Sequence, residues 1–100
     1  MNLERKWIAW CFGSWMLLAG AAAIAQPIEP LLDQAIAGNH RSRADKARDQ
    51  YRHPRETLLF FGLKPDMTVV EIWPAAGWYA EILAPVLRDK GQYYLAHVAI

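Results

Sequence analysis

Residues 69–79 read Val69-Val70-Glu71-Ile72-Trp73-Pro74-Ala75-Ala76-Gly77-Trp78-Tyr79. A turn with Pro65 at its second position comes just before this stretch, so the chain reverses there. Residues 68–73 are β-branched or apolar on both faces, which is typical of a buried strand in a parallel sheet. A turn of small residues follows at 74–77, and a helix is predicted from about Trp78.

The predicted helix after this turn has a single apolar stripe, which identifies its buried face. The stripe consists of Trp78, Ile82, Leu83, Val86 and Leu87. Pro85 is expected to kink the helix, because it removes the hydrogen bond to the carbonyl of Glu81. The helix is predicted to end at residues 89–91, and residues 92–98 are predicted to form a second strand. The sequence therefore predicts a strand–helix–strand unit, with the strands parallel.

Three helical segments are predicted before the first strand. After an extended linker at residues 26–30, a short helix is expected over residues 31–37. A charged helix is expected over residues 41–52, and another begins at Pro54, a residue suited to the first helical position. Gly62 is expected to end that last helix in a left-handed conformation. Its apolar run predicts that it is mostly buried, with Leu58, Leu59, Phe60 and Phe61 as the core residues.

The charged helix over residues 41–52 can be interpreted in two ways. Helical spacing allows Asp45 to pair with Arg41 and Arg48, and Asp49 with Arg52. The alternative is a phosphate-binding patch made of Arg41, Arg43, Lys46 and Arg48. Because the interleaved acids cancel much of the positive field, the sequence favours a solvated helix with ion pairs.

The N-terminal residues 1–25 have the pattern of an export signal. Arg5 and Lys6 precede an apolar stretch at residues 8–18, and Ala23-Ile24-Ala25 fits a cleavage site before Gln26. The alternative is a retained membrane anchor, since the apolar residues could just reach across a bilayer. The only cysteine, Cys11, follows Trp10 rather than a small residue, which disfavours lipidation. We expect a periplasmic or secreted protein that contacts the membrane only through this segment.

The composition excludes several classes of function. With 11 Lys and Arg against 10 Asp and Glu, nothing favours nucleic-acid binding. His40, His53 and His97 lack metal-ligand spacing and cysteine partners, so no metal site is expected. The turn between Trp73 and Tyr79 has no G-x-G-x-x-G motif, which disfavours a dinucleotide-dependent dehydrogenase.

The turn after the first strand resembles the first motif of class I S-adenosylmethionine methyltransferases. In that family an acid at the strand end is followed by glycines two, four and six positions later. Counted from Glu71, these positions hold Trp73, Ala75 and Gly77, so only the last is glycine. By the same offset, His97 stands where the second strand of the family usually has an acid that binds the ribose hydroxyls.

Longer segments resemble one group in particular, the exported methyltransferase-like proteins of bacteria, from about Ala35 to the end of the chain. Two glycines usually follow Trp73-Pro74 in that group, whereas this chain has Ala75 and Ala76. The matching segments are Ala44-Asp45-Lys46-Ala47-Arg48-Asp49, Tyr51-Arg52-His53-Pro54, Glu56-Thr57-Leu58, Phe60-Phe61-Gly62, Glu71-Ile72-Trp73-Pro74, Gly77-Trp78-Tyr79 and Glu81-Ile82-Leu83-Ala84-Pro85.

The resemblance implies a fold and a set of ligand contacts. The fold would be α/β, the N-terminal fragment of a Rossmann-like methyltransferase, with a signal over residues 1–25, a helical segment over 26–66 and the first βαβ unit over 67–100. The implied ligand is S-adenosyl-L-methionine. Glu71 would orient its methionine end and His97 would bind a ribose hydroxyl. The main chain of the turn would line the ligand at Trp73, Pro74, Ala75, Ala76 and Gly77.

The chemistry implied by the resemblance is methyl transfer, an in-line displacement that needs proximity and a dry pocket more than a dedicated acid or base. The substrate side of the pocket would come from later strands, so no catalytic residue is identified and we expect the chain alone to be inactive. Two alternatives stay open. One is a non-catalytic binding or structural protein that kept the fold, and the other is a truncated reading frame without a stable fold.

The candidate site residues also have purely structural interpretations. Glu71 could cap the following helix or pair with Arg52 or Arg55. Trp73 and Trp78 could stack on the cofactor, but the sequence favours a packing role for both. Tyr51 and His53 precede the first strand, where the resemblance implies a segment that folds over the cofactor; His53 could instead simply precede a helix.

Overall fold

The computed structural model describes residues 26–99 of the chain. Within them the order of elements is α1 (Ile28–Ala37), α2 (Arg43–Arg52), α3 (Pro54–Phe60), β1 (Thr68–Ile72), α4 (Ala80–Leu87) and β2 (Gln92–Ala96). The architecture is therefore mixed α/β. The predicted signal segment lies outside the described residues. No helix in residues 26–99 is long and apolar enough to cross a membrane.

Strands β1 and β2 form a two-stranded parallel sheet, with Thr68 opposite Gln92 and Ile72 opposite Ala96. A parallel pair needs a crossover, and α4 supplies it. The return to β2 passes so close to the turn before β1 that a Cβ on Gly91 would lie 2.7 Å from the Met67 carbonyl oxygen. Glycine at this position lets the helix end directly beside the start of the sheet.

Both strands are shorter than predicted. We expected β1 to include Trp73, but Trp73 adopts φ 59°, which takes the chain out of the extended conformation. We expected β2 to continue to Val98, but it ends at Ala96, the partner of the last residue in β1. The amide of Trp73 still donates to the carbonyl of Ala96 at 3.0 Å, and the pairing of the two strands ends there.

The core lies between α1, α3, α4 and the inner face of the sheet. All five residues of the predicted α4 stripe are buried, which confirms that prediction. The remaining buried apolar residues are Leu32, Ala35, Leu58 and Leu63. Helix α1 begins at Ile28 rather than Leu31, so the predicted linker is wrong in part. Pro30 lies in the first turn, where an absent N–H breaks no helical hydrogen bond.

Helices α2 and α3 are joined by a single left-handed residue, His53, with φ 47°. Ser42 begins α2 as its N-cap and accepts a hydrogen bond from the amide of Asp45 at 3.1 Å. Pro54 occupies the first turn of α3, and Gly62 is left-handed at φ 73°, both as predicted. The predicted burial of α3 is wrong in part: Leu58 is buried and Leu59 packs against the core, whereas Phe60 and Phe61 are 85% and 73% exposed.

One face of the sheet carries no other element among residues 26–99. Val70, Ile72 and Tyr94 are all more than half exposed on that face. The sequence predicted burial on both faces of β1, so this part of the prediction does not hold within the described residues. The opposite face, with Val69 and Tyr93, packs against the core.

Candidate functional site

The turn after β1 has an unusual backbone. Trp73, Ala75 and Gly77 all have positive φ, at 59°, 50° and 90°. Only glycine adopts such angles without cost, and another residue in this region loses about 1–2 kcal/mol. We predicted strain if Ala75 or Ala76 needed a positive φ. Ala75 does and Ala76 does not.

This turn forms one wall of a cleft of about 300 Å³ at the carboxyl end of β1. The opposite wall comes from α2, through Arg48 and Arg52. The other lining residues are Glu71, Ile72, Trp73, Pro74, Ala75, Ala76, Trp78 and Tyr79. The side chains of the turn do not fill the cleft, since Trp73, Ala75 and Ala76 are exposed. A ligand could therefore reach the main chain of the turn.

Glu71 is held by the neighbouring strand. The hydroxyl of Tyr93 in β2 donates a hydrogen bond to Oε2 of Glu71. Burial, followed by this carboxylate, raises the pKa of Tyr93 well above its ordinary value. The pairing that we considered between Glu71 and Arg52 or Arg55 is absent from the described residues, where Arg55 pairs with Asp33 at 2.7 Å. Glu71 therefore faces the cleft in a fixed orientation.

Trp78 is a buried platform below α2 rather than an exposed stacking surface. It is 3% exposed, and its Nε1–H donates to the carbonyl of Asp45 at 3.1 Å. The guanidinium of Arg52 lies 4.0 Å from the Trp78 ring centroid and 5.2 Å from that of Tyr79. Trp78 thus has the packing role that we considered, and it fixes the position of a cation at the cleft.

A buried ion-pair cluster holds α2 against the rest of the fold. The Arg41 side chain is fully buried and binds Asp49 through two hydrogen bonds of 2.6 and 2.9 Å. It also donates to the Ile36 carbonyl at 3.0 Å, and its Nε lies 3.4 Å from Glu81 without a well-aligned hydrogen bond. The hydrogen bonds to Asp49 raise the pKa of Arg41.

This cluster corrects our interpretation of the charged helix. Of the predicted pairs, only Asp45 with Arg48 forms, at 3.8 Å. Arg41 pairs with Asp49 instead of Asp45, and Arg52 stacks on Trp78 instead of pairing with Asp49. Arg41 is consequently a buried structural residue, neither solvated nor part of a phosphate patch.

His40 has a structural role that the sequence did not suggest. Its Nε2 donates a hydrogen bond of 2.7 Å to the carbonyl of Glu81, which fixes the tautomer with the proton on Nε2. Pro85 in α4 cannot donate to this carbonyl, and the helix continues through Pro85. The imidazole therefore replaces the missing helical hydrogen bond.

The structure brings together most, but not all, of the predicted site residues. Glu71, Trp73, Pro74, Ala75 and Ala76 line the cleft, and Gly77 continues the same turn without lining it. His97 instead lines a smaller hollow of about 160 Å³ with Trp73, Pro74 and Ala75. His53 and Tyr51 line neither space.

Two residues at this site, Arg52 and Tyr93, were not predicted to belong to it. Arg52 was considered only as an ion-pair partner, although Arg48 and Arg52 are four residues apart and so share one face of α2. Tyr93 was not singled out as a partner for Glu71. Side chains alternate between the two faces of a strand, so Tyr93 lies on the same face of the sheet as Glu71 in the register that β1 and β2 adopt. The sequence does not determine that register.

Two other hollows lie near the amino ends of the strands. One of about 260 Å³ is bordered by His40, Pro65 and Pro85, and one of about 500 Å³ by Pro27, Lys64 and Lys90. The larger hollow is not the better candidate for a ligand site, because ligands of open α/β sheets bind at the carboxyl ends of the strands. We therefore take the cleft beside Glu71 as the candidate site.

No protein-family model, curated protein or solved structure matches this chain. Within residues 26–99 there is no group of three or more His, Cys, Asp or Glu residues arranged to hold a metal ion. The site is therefore interpreted from its own geometry and from the resemblance of its motif.

Proposed function

We propose that the cleft beside Glu71 binds the methionine end of S-adenosylmethionine, as the cofactor half-site of an exported methyltransferase-like protein. The finer fold that goes with this proposal is the N-terminal portion of a Rossmann-like methyltransferase. Support comes from the order of the parts: an acid at the end of a parallel strand, a turn with exposed main chain, and then a helix. The observation that carries the proposal is the open turn itself.

The chemistry of the lining suits this ligand. Oε1 of Glu71 has no hydrogen-bond partner among residues 26–99, so it can accept from a ligand ammonium or hydroxyl. Arg52 offers a positive charge from the other wall. The cleft is at the lower end of the range for small-molecule sites, roughly 300–1,000 Å³. It would therefore hold only part of a nucleoside ligand.

Each residue has a defined task in this proposal. Tyr93 orients the carboxylate of Glu71, and Glu71 orients the amino-acid end of the cofactor. The main chain of Trp73 and Ala75 borders the thioether region, and Gly77 lets the turn continue into the following helix. His97 faces the adjoining hollow, which shares three residues with the cleft and could receive the ribose. The cofactor supplies an electrophilic methyl group, and the acceptor stays unidentified.

Equilibrium binding of S-adenosylhomocysteine to the full chain tests the proposal. We expect saturable binding, and Glu71→Gln should weaken it about tenfold, since a hydrogen bond to a charged group contributes about 1.5 kcal/mol or more. Glu56→Gln is the matched control, because Glu56 is exposed on α3 and outside the cleft. Absence of binding by the unmutated chain at millimolar ligand would contradict the proposal.

A second candidate is a binding or structural protein that kept the fold without the cofactor. Two observations favour it. Ala75 and Trp73 carry side chains at positive φ, where a cofactor turn would have glycine, and His97 replaces the usual acid. Failure to bind S-adenosylhomocysteine, together with cooperative unfolding of the chain, would support this candidate over the first.

A further inference from the structure

The charges around the cleft are unevenly compensated. Arg48 and Arg52 both line it, one helical turn apart on α2. Arg48 shares its charge with Asp45 at 3.8 Å. Arg52 has no carboxylate within 4.0 Å in the part of the chain that the structure describes. It is also half-buried, so water screens its charge less than that of a fully exposed arginine.

The position of Arg52 is set by its surroundings. Its guanidinium stacks 4.0 Å from the centroid of Trp78, which is itself buried and anchored to the carbonyl of Asp45. A guanidinium stacked through its face keeps its N–H edge available for a planar anion, and a carboxylate can accept two parallel hydrogen bonds from it. Little side-chain entropy would then be lost on binding.

The cleft also contains the opposite charge. Glu71 lies at the end of β1, while Arg52 lies on the facing wall. A ligand end with an ammonium and a carboxylate on the same carbon atom matches such a pair, with the ammonium towards Glu71 and the carboxylate towards Arg52. A ligand that ends in a neutral group would leave the positive charge of Arg52 uncompensated.

We propose that Arg52 is the anion-binding residue of this cleft, and that it selects ligands with a free α-amino-acid carboxylate over otherwise similar nucleosides. This inference rests on the proposed function and deepens it. Arg52 would be a specificity-determining residue rather than a cover for Trp78. The contact with Trp78, 4.0 Å from the ring centroid, holds the guanidinium at the wall of the cleft.

The test compares two ligands that share adenosine and a thioether but differ in the amino-acid end. S-adenosylhomocysteine has that end, and 5′-methylthioadenosine lacks it. The unmutated chain should bind S-adenosylhomocysteine at least about tenfold more tightly than 5′-methylthioadenosine. This ratio corresponds to the free energy of about 1.5 kcal/mol that a charge-assisted hydrogen bond contributes. Arg52→Gln should remove most of this preference and leave the affinity for 5′-methylthioadenosine within about twofold.

Matched variants separate the interpretations. Arg43→Gln removes the same charge from an exposed position on α2 outside the cleft and should leave both affinities unchanged. Arg52→Lys keeps the charge but not the planar pair of donors, and should retain part of the preference. If Arg52→Gln fails to fold, Arg52→Lys takes its place in the comparison. Adenosine monophosphate is a third ligand, and it tests whether the anion bound by Arg52 is a phosphate instead of a carboxylate.

Several results would overturn the inference. If Arg52→Gln binds S-adenosylhomocysteine as well as the unmutated chain does, Arg52 is not the anion site, while the proposed function stands. If both ligands weaken equally in the Arg52 variants, its role is structural. If adenosine monophosphate binds more tightly than S-adenosylhomocysteine, the selected group is a phosphate. If the unmutated chain binds none of the three, the proposed function itself fails.

Discussion

Replacing Ala75 with glycine should make the protein more stable, although glycine usually destabilises folded chains. Ala75 has φ 50°, a conformation that costs a residue with a Cβ about 1–2 kcal/mol. Glycine has no such cost but loses about 0.5–1 kcal/mol more through the entropy of the unfolded chain. Ala75 is exposed, so little packing is lost. Ala75→Gly should therefore raise the free energy of unfolding by about 0.5 kcal/mol.

Ala76 supplies the matched control for this prediction. It is also exposed and is adjacent to Ala75, but its φ is not positive. Ala76→Gly therefore only increases the entropy of the unfolded chain, and it should lower the free energy of unfolding by about 0.5–1 kcal/mol. The two variants should differ by about 1 kcal/mol or more, which corresponds to about 4–8 °C in Tm for a domain of this size.

Thermal and urea unfolding, followed by circular dichroism, measure this difference directly. The order of stability should be Ala75→Gly above the unmutated chain, and the unmutated chain above Ala76→Gly. If Ala75→Gly is no more stable than Ala76→Gly, the turn does not have the conformation described here. The path of the main chain along the cleft would then have to be revised.

Three other substitutions test the packing around the site. Arg41→Met should destabilise by about 3 kcal/mol in urea unfolding, because it leaves the Asp49 carboxylate without its buried partner; a loss below about 1 kcal/mol would argue against the cluster. Tyr93 has a raised pKa, so the stability it contributes is present below its ordinary pKa of 10.0 and is lost as pH rises beyond it. Tyr93→Phe should flatten the alkaline fall of stability, and an unchanged slope would refute this. Gly91→Ala should cost more than Gly62→Ala, because a Cβ at Gly91 meets two main-chain oxygens within 2.8 Å, whereas a Cβ at Gly62 meets nothing within 4 Å and costs only the strain of its left-handed φ, about 1–2 kcal/mol; equal losses of Tm would contradict the close passage before β2.

The sequence was most informative where local patterns determine structure. The stripe of α4 could be predicted because its spacing defines one helical face. Pro54 and Gly62 could be placed because each residue suits only a few backbone conformations. The open turn beside Glu71 was predicted from its small residues and from the strand before it.

The features that were missed depend on contacts between distant segments. Arg41 looked solvated because its nearest acid in sequence is Asp45, yet its partners are Asp49 and Glu81. His40 contacts a carbonyl 41 residues away. Phe60 and Phe61 were expected to be buried but are exposed. An apolar run indicates a tendency to be buried, but it does not say which element covers it.

The central claim is that a small molecule binds against the main chain of the turn after β1. The most direct measurement is an amide NMR titration of the labelled full chain with S-adenosylhomocysteine. We predict that the largest shifts occur at the amides of residues 71–73 and 75–79, with smaller ones at Arg52. Shifts confined to the hollow beside His40 and Pro85, or no saturable shifts at all, would contradict the account.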